Sequence, residues 1–484
     1  MTESLKYRSA KTVGWTFTKT MFGQLRSFVV SLFLARLLSP AEFGTIGMAL
    51  VFAQFVELFV DFGFSRAIVQ AKNVTKAQLS TIFWINIAIG VIFSVIMFFS
   101  ASLIADFFKL TDLNSIVKVF SITFIIKALD AVPSALFEKD LNMKYPVRIE
   151  IISSSITGVL GICLAFAKFG VWSLVISQVT GWILSTSMLW VVSPWKPSFL
   201  FNLSSIASLW KFGYKYSLAG IIDNAFWKMD TLVIGKFFSV NVLGLFDRAK
   251  SLNNLTIKFS FGPIQPVLLS TFSQMNETRL VLLEKVQKMI HTIGFLTCLV
   301  SGATYVSSNQ IVSILFSDKW LPCVPYFQII CLFSISYTLP NIYRPAIYAT
   351  GQSGKVLKSE IIQKTLKLAA IGIGLPFGIL GYIFATSLAE LLGLISLNYF
   401  LGKNLNWGIR SQILTVARYY IPAVLLMIGV SQIDMCFGIN NKFVQLILFS
   451  GIYVLLYLIL NLILRNNGII LCQHLLRDIV HKRL

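Results

Sequence analysis

Eleven lysines and arginines lie inside long apolar stretches of the sequence. On insertion scales each costs roughly 2.5–3.5 kcal/mol at the centre of a bilayer, so such residues are expected to face a hydrated cavity or a charged partner. Several cations in one cavity can hold a large anion. The six that we predict for this role are Arg26, Lys127, Arg248, Arg344, Lys364 and Lys367.

Three of these cations also have a local structural interpretation. Arg26 lies midway along its apolar stretch and either lines a cavity or forms an interhelical ion pair. Glu360 lies four residues before Lys364, and Asp130 lies three residues after Lys127. Both spacings place the two residues on one helix face, where they can neutralise each other. The sequence leaves both interpretations open.

Carboxylates form a second pattern. Glu57 and Asp61 lie on a polar stripe of the second apolar segment, and Asp223 and Asp230 share one face of the seventh. In transporters, intramembrane carboxylates of this kind bind the ions that are coupled to movement. We therefore predict ion coupling at these four residues. The alternative is local pairing with basic residues near the helix ends: Arg66, Lys228 and Lys236.

Other reactive residue types are sparse. The six cysteines form no CxxC pair and the three histidines are dispersed, so we predict no metal site. The sequence contains no glycine-rich phosphate loop, GxSxG elbow or HExxH motif. We predict no cofactor and no enzymatic activity. The net charge of +21 is typical of basic cytoplasmic loops and does not predict nucleic-acid binding.

Membrane-spanning helices are the elements that carry these residues. Of the 484 residues 56% are hydrophobic and only 13% are charged, with a mean hydropathy of +0.77. A soluble chain carries about 25% charged residues. Apolar runs of about 20 residues, enough to cross the hydrocarbon core, recur from end to end. We predict an all-α polytopic membrane protein with about fourteen transmembrane helices, near residues 15–35, 43–63, 79–104, 114–137, 149–167, 170–193, 213–235, 243–267, 290–312, 325–349, 359–377, 379–401, 416–433 and 444–464.

The distribution of basic residues predicts the orientation. Loops on one side of the fourteen segments hold twenty-four lysines and arginines, and the opposite loops hold six. Short loops rich in these residues stay in the cytoplasm. We therefore predict that both termini are cytoplasmic. The six basic residues on the outer side are Arg36, Lys109, Lys168, Lys236, Lys319 and Lys442.

Two stretches separated by 200 residues indicate an internal repeat. LARLLSPAEFG at 34–44 matches IGKFFSVNVLG at 234–244, with Arg36 opposite Lys236 and Gly44 opposite Gly244. Both stretches fall on the predicted outer side. Because their two cations oppose the positive-inside bias, we predict that Arg36 and Lys236 hold an outer gate or guide a departing anion.

A second pair of segments extends the repeat. LIADFF at 103–108 resembles IVSILF at 311–316. Helices one to six and seven to twelve then form two lobes related by a parallel pseudo-repeat, an arrangement in which the substrate binds between the repeats. The predicted domains are an N-lobe at 1–205, a C-lobe at 206–405, and two extra helices with a basic cytoplasmic tail at 406–484.

Several motifs carry a family resemblance that covers nearly the whole chain. Besides LARLLSPAEFG they are VDFGFSRAIVQ at 60–70, LSTIFWINIAIG at 79–90, MDTLVIGKFF at 229–238, LGLFDRAKSL at 243–252 and GPIQPVLLSTFSQM at 262–275. Together they resemble the Wzx-type polysaccharide flippases, particularly the colanic acid exporters. That family belongs to the multidrug/oligosaccharidyl-lipid/polysaccharide exporter superfamily, with the multidrug extruders and the lipid II flippase.

The resemblance implies a function. It implies movement of an undecaprenyl-diphosphate-linked oligosaccharide to the outer leaflet of the bacterial cytoplasmic membrane by alternating access, coupled to H⁺ or Na⁺. Membrane lipid and the polysaccharide polymerase machinery are further implied partners. In this hypothesis the six cations hold the diphosphate, and Trp15 and Trp227 stack on sugar rings. By motif matching, the family residues are Arg36, Asp61, Asp230, Lys236 and Arg248.

Two other functions remain open. A multidrug extruder of the same superfamily would need a cavity dominated by acids, whereas cations outnumber acids within the apolar segments. A membrane-embedded polysaccharide polymerase or ligase would need a large outer loop with catalytic residues. The longest outer loop predicted here is only about a dozen residues long.

Overall fold

The structure is a computed structural model that describes residues 22–71, 73–202, 206–261, 272, 279–433, 441–464, 466 and 468. Within these ranges the regular secondary structure is helical and no β-strand occurs. This confirms the predicted all-α class. Every predicted transmembrane segment overlaps a helix in its described part.

The chain divides into two compact units, Met1–Gly244 and Leu245–Leu484. Helix α10, Val240–Phe261, begins in the first unit and continues into the second. The other described helices of the N-terminal unit are α1 (22–37), α2 (Pro40–Asp61), α3 (Phe64–Gln70), α4 (Lys76–Phe108), α5 (Thr111–Ser121), α6 (Thr123–Lys139), α7 (Lys144–Phe166), α8 (Val171–Val192) and α9 (Ala207–Phe237).

The C-terminal unit is likewise built from helices. Two short 3₁₀ turns, Asp318–Cys323 and Leu375–Phe377, connect some of them. The described α-helices are α11 (Arg279–Val306), α12 (Ser308–Phe316), α13 (Val324–Leu332), α14 (Ser334–Thr338), α15 (Pro340–Ala349), α16 (Ser353–Gly374), α17 (Gly378–Leu405), α18 (Ile409–Ile433) and α19 (Lys442–Ile463).

The boundary between the units does not coincide with the predicted lobe boundary at residue 205. Helix α9 packs against α2 and α3, and these contacts place it in the N-terminal unit. Contacts group helices by packing, whereas a repeat groups them by sequence. The domains 1–205, 206–405 and 406–484 therefore stay a prediction.

Seven helical segments of the described chain are long and apolar enough to cross a membrane. One of them, Ser353–Leu405, has 53 residues, far more than a single helix needs to cross a bilayer. It contains two helices, α16 and α17, that pack against each other as an antiparallel pair. A further apolar segment is bent by 64° at Phe333. The protein is thus a multi-pass membrane protein, and the number of fourteen spans stays a prediction.

Local sequence signals explain where the long helices begin. The side chain of Ser39 accepts a hydrogen bond from the backbone of Glu42, and the Glu42 carboxylate accepts one from the backbone N–H of Ser39. This capping box satisfies first-turn N–H groups at the start of α2. Thr75 and Gln78 form a second capping box at the start of α4.

Helices α18 and α19 pack against α11 in the core of the C-terminal unit. The hydroxyl of Tyr453 donates a hydrogen bond to the carbonyl of Cys298 at 2.9 Å, and its ring fills the space beside Gly302. Tyr453 stacks on Tyr457, and both side chains are buried. Because buried tyrosines contribute large apolar areas and the Tyr453 hydroxyl is hydrogen-bonded, these contacts fix α19 to α11.

Candidate functional site

A row of polar side chains lines the contact between α16 and α17. The Ser359 and Ser396 hydroxyls lie 2.5 Å apart near one end. One turn along α16, Gln363 packs against Gly393, and one turn further the ammonium of Lys367 lies 3.9 Å from the carboxylate of Glu390. Steps of three or four residues keep such groups on one helix face. The two helices therefore share a polar contact inside an apolar hairpin.

Arg344 brings a third helix, α15, to this row. Its Nε lies 3.8 Å from a carboxylate oxygen of Glu360, and its Nη2 donates to the Gln363 side chain at 3.4 Å. Lys364 lies on the same face of α16, between Glu360 and Lys367 in sequence. These residues form what we call the charge cluster: Arg344, Glu360, Lys364, Lys367 and Glu390.

The charge cluster lies deep within the helical hairpin. Helix α16 has 22 residues and is about 33 Å long, and Lys367 lies fourteen residues, about 21 Å, beyond its first residue. The side chains of Lys367 and Glu390 are only 16% and 29% exposed. Three cations and two carboxylates leave a net charge of +1. The arrangement can therefore attract an anion at membrane depth.

The structure places the other predicted cations in different surroundings. Arg26 donates from Nη1 to the backbone carbonyl of Ser154 at 2.7 Å, which ties α1 to α7. Arg248 is 6% exposed and lies over the rings of Phe316 and Trp320, at 4.9 and 5.0 Å. Both arginines thus contact neighbouring helices of their own unit. Lys127 lies partly buried on α6 in the N-terminal unit.

The two residues predicted for the outer gate differ in their contacts. The ammonium of Lys236 donates to the carbonyl of Phe107 at 2.5 Å and lies 3.7 Å from the centre of the Phe107 ring. Phe107 belongs to the last turn of α4, where free carbonyls attract cations. Arg36 is exposed in the last turn of α1. Lys236 thus ties α9 to the end of α4.

Gly44 and Gly244, which the repeat aligns with each other, meet in the N-terminal unit. A Cβ on Gly44 would lie 1.8 Å from the carbonyl oxygen of Val240, and a Cβ on Gly244 would lie 1.8 Å from that of Pro40. Each glycine therefore packs on the first residue of the other helix. Only glycine permits two backbones to approach so closely. The crossing of α2 and α10 is thus reciprocal, as a repeat would produce.

Comparison with known proteins identifies the family. The profile of the polysaccharide biosynthesis protein family matches residues 33–325, which is more than half of the chain. The chain belongs to this family. Among its relatives, the lipopolysaccharide biosynthesis protein WzxC of Escherichia coli (strain K12) is 23% identical over 405 residues, covering 82% of this chain and 81% of WzxC. The teichuronic acid biosynthesis protein TuaB of Bacillus subtilis (strain 168) is 26% identical over 345 residues, covering 70% and 71%.

Solved structures agree with this membership at the level of the fold. Lipid II flippase MurJ, in an inward closed conformation, matches with a TM-score of 0.74 at 16% identity, over 94% of this chain and all of MurJ. A multidrug resistance MATE family transporter in an inward-facing conformation matches with a TM-score of 0.59 at 13% identity, over 79% of this chain and 95% of the transporter. The predicted resemblance to Wzx-type proteins is confirmed by the family match and by the similarity to WzxC, and the solved structures show the same fold.

The family motif VDFGFSRAIVQ has a structural explanation. One carboxylate oxygen of Asp61 accepts hydrogen bonds from the backbone N–H and the hydroxyl of Ser65, at 2.9 and 2.7 Å. Gly63 adopts a positive φ of 76°, which turns the chain from α2 into α3. Asp61 thus caps the start of α3. The structure gives this carboxylate a helix-capping contact, while ion coupling at Asp61 stays a prediction.

Side chains of α6 contact the rest of this motif. Arg66 forms a 2.6 Å ion pair with Glu138, and the ammonium of Lys139 donates to the carbonyls of Ile68 and Ala71 at 3.1 and 2.6 Å. The end of α3 is therefore capped by a side chain of α6. These family residues fix one helix end to another.

The remaining predicted residues divide into two groups. On α9, Asp230 is buried, whereas Trp227, one turn earlier, is 65% exposed. Trp15 and the side chains of Glu57 and Asp223 lie outside the described residues.

Gln363 and Glu390 were not among the predicted site residues. Glu390 is the only acidic residue of α17 and lies in the apolar stretch LAELLGL, and that isolation was the signal that could have revealed it. The charge cluster also lies beyond residue 325, where the family profile ends. The family match therefore does not extend to the charge cluster.

Proposed function

We propose that the protein carries an undecaprenyl-diphosphate-linked oligosaccharide across the bacterial cytoplasmic membrane for the assembly of a surface polysaccharide. Membership of a polysaccharide biosynthesis family supports the substrate class. The similarity to a lipid II flippase supports a fold suited to alternating access. Both termini would be cytoplasmic, and the activity would be transport without covalent chemistry on the sugar.

The charge cluster is the observation that carries this proposal. A diphosphate must lose much of its hydration to cross the membrane, and the loss is tolerable only if cations replace water. The planar guanidinium of Arg344 matches two phosphate oxygens, and lysines act as point charges for the others. Lys364 and Lys367 lie one turn apart on α16, the helix whose Glu360 and Gln363 contact Arg344, and in this proposal the three cations bind the two phosphates.

The rest of the substrate has different requirements. A long prenyl chain is apolar and can stay in lipid while the head group moves. The sugars need a polar path with aromatic faces, and the exposed ring of Trp227 supplies one such face in the N-terminal unit. A coupled flow of H⁺ or Na⁺ would drive the movement, and polymerase machinery in the membrane would receive the product.

A reconstituted transport assay tests the proposal. Proteoliposomes would hold a fluorescent polyprenyl-diphosphate oligosaccharide, and a membrane-impermeant reductant would report how much probe faces outward over time. We expect the wild type to move the probe and the double variant K364Q/K367Q to lose transport at least roughly tenfold, because two intramembrane cations are removed.

The same assay has a matched control. Lys285 and Lys288 have the same spacing on α11, and Lys288 also pairs with a glutamate, but both are exposed outside the charge cluster. We expect K285Q/K288Q to keep wild-type transport. Equal transport by K364Q/K367Q and the wild type would contradict the role of the cluster. Failure of the wild type to move the probe, with export of a cationic drug instead, would favour a multidrug extruder.

A further inference from the structure

We propose that residues 193–202, which follow α8, form a membrane-interface anchor whose partner is the headgroup region of the phospholipid bilayer. In this arrangement Phe199, Leu200 and Phe201 reach the outer edge of the hydrocarbon core. The anchor contacts lipid whatever substrate the protein transports. It is supported by the exposed side chains of the segment, by the bonding of its backbone, and by its position along α4.

Three large apolar side chains in a row are exposed on this segment. Phe199, Leu200 and Phe201 are 91%, 52% and 60% exposed, and Val191, just before the segment, is exposed as well. A contiguous apolar surface of this kind is rare in water and marks contact with another protein or with a membrane. Val191 belongs to α8, a helix long and apolar enough to cross a membrane. The exposed surface therefore continues from a helix that contacts lipid.

Side chains of α4 hydrogen-bond the backbone of the segment. The Ser80 hydroxyl accepts from the N–H of Ser198 at 3.1 Å, and the indole N–H of Trp84 donates to the Ser198 carbonyl at 3.0 Å. The Thr81 hydroxyl accepts from the N–H of Asn202 at 3.0 Å. A loop in water has solvent for such groups, whereas non-helical backbone beside lipid needs partners within the protein. This bonding therefore fits a segment at the edge of the hydrocarbon core.

Aromatic rings and a lysine favour the bilayer over a protein as the partner. The ring of Phe199 stacks on Trp84 with centroids 5.2 Å apart, and the rings of Trp190 and Trp195 lie 6.1 Å apart. The ammonium of Lys196 lies 5.5 Å from the centre of the Trp190 ring. Tryptophan is enriched where a membrane meets water, and lysine there keeps its stem on apolar surface and its charge among the headgroups. Lysine is depleted at protein interfaces.

The position of the segment along α4 gives its depth. Helix α4 has 33 residues and is about 50 Å long, whereas the hydrocarbon core is about 30 Å thick. A centred α4 therefore extends about 10 Å beyond the core at each end. Ser80 and Trp84 lie four and eight residues, about 6 and 12 Å, beyond the first residue of α4, Lys76. The segment thus crosses α4 where the headgroups meet the hydrocarbon.

Photo-cross-linking to lipid tests the proposal. The photoreactive amino acid p-benzoylphenylalanine replaces Phe199 or Phe201 in the full-length protein, which is purified and reconstituted in vesicles of phosphatidylethanolamine and phosphatidylglycerol. Adducts formed on illumination are measured by mass spectrometry. Two positions serve as references: Ile92, exposed near the middle of α4, and Asn73, exposed before its first residue.

We expect phospholipid adducts at positions 199 and 201 in yields close to that at Ile92. These yields should exceed the yield at Asn73 by at least roughly tenfold, because few acyl chains reach a residue in water. Yields as low as that at Asn73 would overturn the proposal, since the segment would then lie in water. Cross-links to a second copy of the chain in place of lipid would also overturn it, because the apolar surface would then be a protein interface.

Amide exchange tests the hydrogen bonds to α4 separately. The variant S80A removes the acceptor of the Ser198 N–H, and T81V removes the acceptor of the Asn202 N–H. Each variant should speed exchange of its own amide by roughly tenfold, the factor expected for loss of one hydrogen bond. Ser177 bonds to a carbonyl of its own helix, α8, so S177A should leave both amides at the wild-type rate. If S80A and T81V exchange like the wild type, α4 does not hold the segment and the proposal fails.

Discussion

Three basic residues of the N-terminal unit and two of the C-terminal unit have different kinds of partner. In the N-terminal unit, Arg26, Lys139 and Lys236 donate to backbone carbonyls of another helix. In the C-terminal unit, Arg344 and Lys367 face carboxylates across helix contacts. A backbone carbonyl cannot move away without disturbing its helix, whereas a side chain can rotate. Backbone-bound cations are therefore suited to holding helices, and cations paired with side chains are suited to exchanging one anion for another.

Removal of Lys367 is expected to have the largest effect of the changes that test this contrast. In K367M the carboxylate of Glu390 loses its partner within the hairpin, and an uncompensated charge of this kind costs about 3 kcal/mol. The double variant K367M/E390M should recover most of this stability, because no charge is left. Thermal unfolding of the wild type, K367M, E390M and K367M/E390M measures the coupling.

Transport by the same variants sharpens the contrast. Both K367M and K367M/E390M should lose transport of a polyprenyl-diphosphate probe, because both lack the cation of Lys367. The loss should persist in the double variant even though its stability is restored. Normal transport by a stable K367M/E390M would show that this pair only holds the hairpin together. The two units would then use their charges alike.

Removal of Arg26 should affect stability more than transport. The variant R26M loses a charged hydrogen bond to the Ser154 carbonyl, a loss of about 1.5 kcal/mol in unfolding free energy. We expect transport per folded molecule to stay near the wild-type rate. A folded R26M without transport would restore the interpretation of Arg26 as a cavity cation and remove the distinction between the units.

Asp61 tests whether a family carboxylate serves as a helix cap or as an ion site. Loss of the cap in D61A should lower stability by about 1 kcal/mol, whereas asparagine in D61N can still accept the hydrogen bonds of Ser65. We expect D61N to transport normally. Loss of transport in a stable D61N would instead support the ion coupling predicted from the sequence.

Some features of the structure could be predicted from the sequence and others could not, depending on whether they leave a pattern in the sequence. The long apolar runs were sufficient for the all-α membrane fold, and the motifs were sufficient for the family. Alignment of Gly44 with Gly244 even named two residues that touch. The partners of the charges were not predictable, because a carbonyl such as that of Ser154 has no sequence signature. Glu390 was missed for a related reason, since its partner Lys367 lies on another helix and helix pairing depends on tertiary packing.

The smallest effect is expected at Asp318, in the turn after α12. Its carboxylate accepts hydrogen bonds from Lys442 and Ser313, and these contacts lower the pKa of Asp318 below its usual value of 3.8. A lowered folded pKa means that the stabilisation is fully present above about pH 4 and is lost as pH falls through the folded value. The variant D318N should lack this component. Its melting temperature should therefore lie slightly below that of the wild type at neutral pH and converge with it in acid. A constant difference at all pH values would show that the contact between α19 and this turn does not depend on the carboxylate charge.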